Sequence, residues 1–400
     1  MTEAILVSNG PGELYTWVQP VLKELQSRNL KVKTTICLIP CQFAAGDETD
    51  IARTFGADSV SSPKEFISFL TTGRIPPAWS GDNGFVLSLG GSQALALRLG
   101  RKLGYPTYRY HFIPSWHRDL KAIFVQDKPT ERQAHLKGAP NNRIKRVGNL
   151  VADAVDISTP PESTNFPHIL LFPGSRDAFA VTLIPFFLAL ADELGQIYPN
   201  ASFVWPVSRL LSERTIEDGI AAKQPVFPCS LAGSRQGNFV TTPSGTLIEM
   251  VPEADRYKHM RNSDIAVTIP GTNTLELGIA GVPSIVLLPM NKPEAIPLEG
   301  IGHWLGLIPL VGPLLKRCAV RIFVNRLSIP ISLPNRIAGT DIMLEVRGII
   351  SVPQVVEKIT GLIDDPTDLL RRRRQLLASM PRPGAAKKLV TEILADINAK

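Results

Sequence analysis

Two short segments of the chain combine residue types that bind phosphate groups. In the first, the apolar run His168–Phe172 leads directly into Pro173–Gly174–Ser175–Arg176. A turn at the end of a strand presents backbone amides, Ser175 adds a hydroxyl, and the guanidinium of Arg176 can hold a diphosphate through paired hydrogen bonds. Pro–Gly turns with an exposed arginine are also common on protein surfaces. Taken alone, this segment leaves phosphate binding and an ordinary turn open.

In the second segment, the apolar run Ile265–Thr268 is followed by Gly271 and Thr272, which open a helix. Free amides at a helix N-terminus and the positive end of the helix dipole attract anions. Glu276, early in this helix, either accepts both ribose hydroxyls of a nucleotide or complements the helix N-terminus. Together the two segments predict the two sides of a pocket for a nucleotide sugar.

Strands and helices alternate along the chain, which would place both segments at the edge of a parallel sheet. The predicted strands are Ala4–Val7, Val32–Leu38, Gly84–Leu89, Pro106–Phe112, Ala122–Val125, His168–Phe172, Ala201–Val204, Ile265–Thr268 and Ser284–Leu288. The predicted helices are Trp17–Arg28, Ala180–Tyr198, Asn273–Ala280, Gln354–Ile363, Asp368–Ser379 and Ala385–Asn398. We therefore expect an α/β fold with two doubly wound, Rossmann-like domains that face each other across a cleft.

A polar Pro/Ser/Thr stretch at 156–165 is unlike the apolar segments on either side of it, and it marks the predicted domain boundary. The N-terminal domain then comprises residues 1–156, and the C-terminal domain comprises 166–383 with an apolar, basic insertion at 295–330. The last helix, at about 384–400, is expected to pack back on the first domain.

Composition excludes several classes of protein. With 400 residues and 44% hydrophobic content, the chain can bury two cores without disulfides. The cysteines Cys37, Cys41, Cys229 and Cys318 form no Cys-x-x-Cys pair, so we expect reduced thiols in the cytoplasm and no metal site. The N-terminus lacks the pattern of a signal peptide. A net charge of +7 indicates an anionic partner, but no nucleic-acid-binding motif accompanies it.

Three motifs occur in the same order as in a known family: Leu171–Arg176, then Ser263–Glu276, then Leu333–Pro334–Asn335–Arg336–Ile337–Ala338–Gly339. This order resembles that of the lipid-A-disaccharide synthases, which are inverting glycosyltransferases of the GT-B fold. The resemblance is strong over the second domain and weak over the first. It implies that a UDP-sugar is bound without metal or cofactor by the following residues: Ser175, Arg176, Gly271, Thr272, Glu276 and Asn335. From its type alone, Asn335 could equally be a turn residue.

The first domain departs from the family pattern. The family places its catalytic carboxylate in an acidic cluster after the strand that here reads Phe85–Leu89. This chain instead continues with Gly90–Gly91–Ser92, and the stretch has no acid. An inverting transfer needs a base near the acceptor hydroxyl, so the acceptor is expected to differ from that of a standard lipid-A-disaccharide synthase.

Two residues could replace the missing base. Glu13 ends the loop that follows the first strand, where it would lie at the carboxyl edge of the sheet together with Asn9, Gly10 and Gly12. His111 lies near the end of the strand Pro106–Phe112, and an imidazole is suited to proton transfer near neutral pH. Both have a structural alternative: Glu13 could complement a helix, and His111 could belong to a polar network. The glycines 90 and 91 would allow close approach of the backbone, and Ser92 would start a helix whose amides face the cleft.

A run without Lys, Arg, Asp or Glu lies between 300 and 315; it consists of Gly, Ile, Leu, Val and Pro with His303 and Trp304, and basic residues follow it up to 326. It is shorter than the ~20 residues that span a bilayer, so we expect 300–326 to contact an anionic membrane surface or to pack on the second domain. The leading hypothesis is therefore a cytoplasmic, peripheral membrane glycosyltransferase that moves a sugar from a UDP-sugar to a lipid-linked acceptor. The alternatives are an enzyme like UDP-N-acetylglucosamine 2-epimerase and a non-catalytic relative that binds nucleotide sugars or lipids. The oligomeric state stays open.

Overall fold

The structure is a computed structural model, and it describes residues 2–28, 31–40, 46, 48–79, 83–155, 166–291 and 329–398. These residues form two compact units. Unit 1 comprises Met1–Val155 together with Pro381–Lys400, and unit 2 comprises Asp156–Met380. The predicted membrane-facing segment 300–326, and with it almost all of the insertion 295–330, lies outside the described residues.

Unit 1 is built on a parallel sheet of seven strands in the order β3-β2-β1-β4-β5-β6-β7. The strands are β1 (Thr2–Ser8), β2 (Val32–Leu38), β3 (Ser59–Ser61), β4 (Asn83–Leu89), β5 (Thr107–Tyr110), β6 (Leu120–Val125) and β7 (Ile144–Arg146). The helices are α1 (Pro11–Glu13), α2 (Gln19–Ser27), α3 (Glu48–Arg53), α4 (Pro63–Thr72), α5 (Gln93–Leu103), α6 (Lys128–Leu136) and α7 (Val151–Ala154). A π-helical turn, Leu14–Val18, joins α1 to α2.

The central strand β1 of unit 1 is fully buried because of its position in the sheet. Ala4, Ile5, Leu6 and Val7 of β1 are all 0% exposed, because β2 and β4 flank the strand and helices cover both faces. The chain first builds outward from β1 to β3 and then returns to the other side of β1 with β4. The crevice outside the carboxyl ends of β1 and β4 is therefore a topological switch point, where open α/β sheets bind ligands.

Unit 2 has an eight-stranded sheet in the order β10-β11-β12-β9-β8-β13-β14-β15. The strands are β8 (His168–Phe172), β9 (Ser202–Val207), β10 (Ser234–Gln236), β11 (Phe239–Thr241), β12 (Leu247–Pro252), β13 (Ile265–Thr268), β14 (Ser284–Pro289) and β15 (Leu344–Gly348). The helices are α8 (Asp177–Ile197), α9 (Glu213–Ile220), α10 (Arg256–Asn262), α11 (Thr272–Ile279), α12 (Leu333–Ala338), α13 (Val352–Ile363) and α14 (Pro366–Ser379). All neighbouring strands are parallel except in the edge ribbon β10-β11-β12.

The switch point of unit 2 lies between β8 and β13, because the chain passes from β8 to β9 on one side and returns to the other side with β13. Helix α8 packs against this sheet, and most of its residues are buried in the hydrophobic core. Among the described residues, α8 is the one helix long and apolar enough to cross a membrane, and 78% of its most apolar stretch is buried inside the protein.

The last helix, α15 (Ala385–Asn398), belongs to unit 1. Asp153 fixes its start, since its carboxylate accepts hydrogen bonds from the backbone amides of Gly384 (2.6 Å), Ala385 (2.9 Å) and Ala386 (3.2 Å). These amides have no partner within the helix, so one acid outside the helix performs the role of a cap.

The predicted α/β class with two doubly wound sheets is confirmed. Several local predictions differ from the structure, two of them beside the candidate base residues. The first two residues of the helix predicted as Trp17–Arg28 belong to the π-helical turn Leu14–Val18, and the α-helix itself is Gln19–Ser27. The strand predicted as Pro106–Phe112 ends at Tyr110. It ends there because the chain turns at His111, whose ring nitrogen Nδ1 accepts a hydrogen bond from the backbone amide of Ile113 (2.9 Å).

Candidate functional site

The two predicted phosphate-binding segments lie side by side in unit 2. Strands β8 and β13 are neighbours, with Phe172 in register with Thr268, so their loops leave the sheet together. Gly174 has φ +115°, and a Cβ atom added to it would lie 3.1 Å from Cδ1 of Ile269 in the second loop. The glycine therefore provides both the left-handed backbone of the turn and the close approach between the two loops.

The predicted ligand-binding groups of these loops face solvent. Ser175 and Arg176 are exposed, and Arg176 is the residue from which α8 starts. Gly271 and Thr272 are also exposed at the start of α11, whose first turn contains no acidic residue. Backbone amides and a positive helix end therefore lie next to an arginine, which is an arrangement that attracts phosphate oxygens.

Glu276 is 5% exposed and is held by two residues of α10. Its Oε1 atom accepts hydrogen bonds from Nη2 of Arg256 (3.0 Å) and from the hydroxyl of Tyr257 (2.7 Å). Burial alone would lower the pKa of Arg256, but the negative charge of Glu276 outweighs it and raises that pKa. Burial, followed by the charge of Glu276, raises the pKa of Tyr257. Glu276 is thus fixed by a buried charge network and does not simply complement the helix end.

Asn335 is 0% exposed, and its side chain is used by the protein itself. Its amide nitrogen donates to the carbonyl of Met343 (2.9 Å) and to Glu345 (3.0 Å), and its Oδ1 atom accepts from the amides of Ile342 (2.9 Å) and Met343 (2.8 Å). Asn335 was predicted to contact the UDP-sugar directly. The structure instead gives its side chain a structural role. The segment still reaches the site, because the amide of Leu333 donates to Oγ1 of Thr274 in α11 (3.3 Å).

The switch point of unit 1 brings together the loops after β1 and β4. Val7 is in register with Ser88, so the loop that contains Glu13 lies beside Gly90 and Gly91. A Cβ atom added to Gly90 would lie 3.1 Å from Cγ of Glu13, and one added to Gly10 would lie 2.4 Å from Oε2 of Glu13. The two glycines thus leave the space that the Glu13 side chain fills.

Asn9 and Gly91 meet in the same crevice. A Cβ atom on Gly91, where φ is +65°, would lie 3.2 Å from Cγ of Asn9, and Oδ1 of Asn9 is buried without a hydrogen-bond partner within the described residues. Gly12 is exposed and has open space around it. Ser92 is exposed and precedes α5, but its hydroxyl makes no capping hydrogen bond. The predicted acceptor-side residues are therefore neighbours in space.

The structure opposes the alternative assignment of His111 as the base. Burial and the positive charge of Arg109 lower the pKa of His111 to about 4, so the ring is neutral at pH 7. Because Nδ1 already accepts the amide proton of Ile113, the neutral ring carries its proton on Nε2. No unshared nitrogen is then available to take a proton. The ring packs edge-on against Trp17, with centroids 5.7 Å apart, and this contact is structural.

Arg256 and Tyr257 were not singled out from the sequence. They are separated along the chain from the groups they contact, and no local pattern marks them. Within the described residues, no group of three or more His, Cys, Asp or Glu side chains could hold a metal ion.

Comparison with known proteins agrees with this geometry. Residues 161–294 match the family model for lipid-A-disaccharide synthetase. The lipid-A-disaccharide synthase of Gluconobacter oxydans is 28% identical over 261 residues, which cover 65% of this chain and 52% of the relative. That of Geobacter sulfurreducens is 30% identical over 118 residues, covering 29% of this chain and 25% of the relative. The chain thus spans about half, or less, of the length of these curated relatives.

Solved structures with a similar fold cover the whole chain. They include the S. aureus MnaA–UDP co-structure (14% identity, TM-score 0.57, covering 100% of this chain and 97% of that one). UDP-GlcNAc 2-epimerase from Neisseria meningitidis bound to UDP-GlcNAc has 16% identity and a TM-score of 0.56, covering 98% of this chain and 100% of that one. CalG4, the calicheamicin glycosyltransferase, has 15% identity and a TM-score of 0.52, covering 99% and 98%. The chain therefore has the GT-B fold, and its resemblance to the lipid-A-disaccharide synthases is confirmed over residues 161–294.

Proposed function

We propose that the chain is an inverting glycosyltransferase that moves a sugar from a UDP-sugar to a lipid-linked acceptor, without a metal or an organic cofactor. The observation that carries this proposal is the meeting of two phosphate-binding loops and one buried carboxylate, Glu276, at the switch point of unit 2. The same stretch of sequence matches the lipid-A-disaccharide synthetase model. UDP and UDP-GlcNAc complexes among proteins of similar fold are consistent with the nucleotide that we propose.

In this proposal, each donor-side group has one role. The backbone at Ser175 and Gly271, the hydroxyl groups of Ser175 and Thr272 and the guanidinium of Arg176 bind the diphosphate, and they stabilise the negative charge that develops on UDP as it leaves. Both described contacts of Glu276 use Oε1, so Oε2 is the oxygen that we assign to the ribose hydroxyls. Arg256 and Tyr257 orient this carboxylate.

We assign the base to Glu13. Its carboxylate takes the proton of the acceptor hydroxyl while that oxygen forms a bond to the anomeric carbon of the sugar. The bond between this carbon and the UDP oxygen breaks on the opposite face, and UDP leaves with the bonding electrons. Glu13 is partly buried over Gly90, beside the loop after β4, which is where the resemblance places the family's acid.

The lipid acceptor and the cytoplasmic face of the membrane are part of the proposal. They are supported by the family match and by the apolar, basic composition of 300–326, a segment outside the described residues. A protein that extracts an acyl-linked acceptor from a leaflet needs such a surface.

Incubation of the protein with a panel of labelled UDP-sugars and total bacterial lipid tests the proposal. We expect one UDP-sugar to give a labelled lipid and an equal amount of UDP. An epimerised UDP-sugar formed without lipid would favour the epimerase alternative and contradict the transferase. UDP binding without turnover in the presence of lipid would instead indicate a non-catalytic relative.

A further inference from the structure

We propose that Glu345 is a positioning residue for the loop Ile269–Thr272, which we call the donor loop. Glu345 acts on this loop through the start of α12: it holds the residues before α12, and α12 holds Thr274, which fixes the backbone of the donor loop at Gly271. This role rests on the proposed function, because the donor loop is one of the two loops to which we assign the diphosphate.

Glu345 lies on β15 and accepts hydrogen bonds from four residues. Its Oε1 atom accepts from the amide of Ser332 (3.0 Å), from the hydroxyl of Ser332 (2.9 Å) and from the side-chain nitrogen of Asn335 (3.0 Å). Its Oε2 atom accepts from the amide of Ile331 (3.0 Å) and from the guanidinium of Arg347. Both carboxylate oxygens therefore bind donors of the protein itself, and most of these donors belong to the start of α12.

This carboxylate is charged at neutral pH, although only 10% of its side chain is exposed. Burial would raise the pKa of Glu345, but the hydrogen bonds from Ile331, Ser332 and Arg347 outweigh burial, and the pKa lies below its usual value. Hydrogen bonds to a charged acceptor are stronger than those between neutral groups. One residue of the sheet thus fixes Ile331 and Ser332, which determine where α12 begins.

Helix α12 transmits this position to the donor loop through a buried hydroxyl. The amide of Leu333, the first residue of α12, donates to Oγ1 of Thr274 (3.3 Å), and the same hydroxyl donates to the carbonyl of Gly271 (2.8 Å). A hydroxyl has one proton, so its donation to Gly271 leaves a lone pair that accepts from Leu333. Thr274 is 0% exposed. Its hydroxyl therefore connects Leu333 to the backbone of the donor loop without competition from solvent.

Close packing between α11 and α12 supports this connection. A Cβ atom added to Gly278 of α11 would lie 2.7 Å from Cγ of Pro334 in α12 and 3.1 Å from Sδ of Met380. The glycine thus permits the two helices to approach closely. Because a close-packed interior has little empty space, a displacement of α12 is passed on to α11. Loss of the Glu345 carboxylate should therefore change the direction of the peptide groups in the donor loop.

A double-mutant cycle on the full chain tests this role, with the Kd for UDP measured by isothermal titration calorimetry. Glu345→Gln replaces one acceptor oxygen by a donor amide. Thr274→Val removes the hydroxyl and keeps the shape of the side chain. We expect each change to raise the Kd for UDP about 3–10-fold. The double variant should raise the Kd no further than the more affected single variant, because both changes interrupt the same connection.

Three further variants serve as controls. Thr274→Ser retains the hydroxyl and should recover most of the affinity that Thr274→Val loses. Glu249→Gln changes a partly buried glutamate on β12 of the same sheet and should bind UDP as the wild type does. Glu345→Asp keeps the charge but shortens the side chain, and it takes the place of Glu345→Gln in the cycle if that variant does not fold.

Two results would overturn the positioning role. One is a double variant whose rise in Kd equals the product of the two single rises, and the other is an unchanged Kd in the Glu345 variant. Equal losses in Thr274→Ser and Thr274→Val would also contradict it, since the hydroxyl would then not matter. A wild type that does not bind UDP would contradict the proposed function, and this role with it. The first three results leave the proposed function intact, so the two failures are distinguishable.

Discussion

The switch-point crevices of the two units are both formed by loops at the carboxyl ends of neighbouring parallel strands. They differ in whether the buried charged side chain has an ion-pair partner. In unit 2, the buried acid Glu276 is neutralised by Arg256 and is oriented by Tyr257 before any ligand arrives. In unit 1, Glu13 is only partly buried and the buried Arg109 has no acidic partner among the described residues. Among the described residues, the buried charges of the unit 2 crevice are therefore paired with each other, whereas the buried charge of the unit 1 crevice is not paired.

This difference between the two crevices parallels the extent of the match to the family model. The match to the lipid-A-disaccharide synthetase model covers β8, β13 and Glu276, and it does not extend into unit 1. The segment of unit 2 that matches the model therefore contains a preorganised charge network, which can position a ligand without reorganisation. Unit 1 has Gly90–Gly91–Ser92 after β4, where the resemblance places an acid, and Gly90 leaves space for Glu13. We expect such a division if, as proposed, the sugar donor is that of the related enzymes and the acceptor differs.

The largest expected effect on stability comes from breaking the network of unit 2. Glu276→Ala should destabilise the protein by about 3–5 kcal/mol, because it leaves Arg256 buried without a partner. It should also remove the rise in melting temperature that UDP causes in the wild type. Urea denaturation with and without UDP measures both effects.

Glu357→Ala, at an exposed position of α13, is the matched control and should change neither quantity. A Glu276→Ala protein that is as stable as the wild type and still responds to UDP would show that the charge network of unit 2 is not what holds the nucleotide.

A smaller effect is expected from pH in unit 1. Because the pKa of His111 is lowered to about 4 in the folded state, the unfolded chain takes up a proton below pH 6.5 that the folded chain does not. The contribution of neutral His111 to the free energy of unfolding is therefore fully present above pH 6.5. About 2–3 kcal/mol of this contribution is lost as the pH falls to 4.5. His111→Gln should lose less stability than the wild type between pH 7 and 4.5 in urea titrations. Parallel losses in the two proteins would contradict a partly buried, neutral imidazole at His111.

The smallest effect is expected at the end of the chain. Asp153→Ala removes the acceptor for three amides at the start of α15 and should cost about 1–2 kcal/mol, the usual range for a lost helix cap. Asp153→Asn retains one acceptor oxygen and should cost less. Because the change lies in unit 1, UDP binding should be unchanged in both variants, as measured by isothermal titration calorimetry. Weaker UDP binding in Asp153→Ala would show that the two units do not respond separately.

Most of the fold could be predicted from the sequence because its central strands are continuous apolar runs. Val32–Leu38 and Ile265–Thr268 were predicted with the bounds that the structure has. The edge strand Ser234–Gln236 was missed, since its three residues are all exposed and carry no hydrophobic pattern. Leu247–Pro252 and Leu344–Gly348 were not predicted either, and both are only partly buried. Local sequence thus identifies the continuously buried strands of the sheet but not its short or partly exposed ones.

The site was only partly predictable, for a related reason. Glycine, serine and arginine after an apolar run indicate a phosphate loop, and the loops do adjoin in space. The counter-charge of Glu276 comes from another helix, and the buried position of Asn335 depends on contacts with Met343 and Glu345. Spacing along the chain does not show such long-range partners. Charge compensation, which distinguishes the two crevices, is therefore a property of the folded protein.

The central claim, that Glu13 is the base of the proposed sugar transfer, is tested most directly by one variant. In Glu13→Gln, the rate of labelled lipid formation should fall by about 10²–10⁴-fold, while the Kd for UDP stays at the wild-type value, since the amide keeps the shape of the side chain but cannot take a proton. Transfer by Glu13→Gln at the wild-type rate, with the same Kd for UDP, would contradict the account.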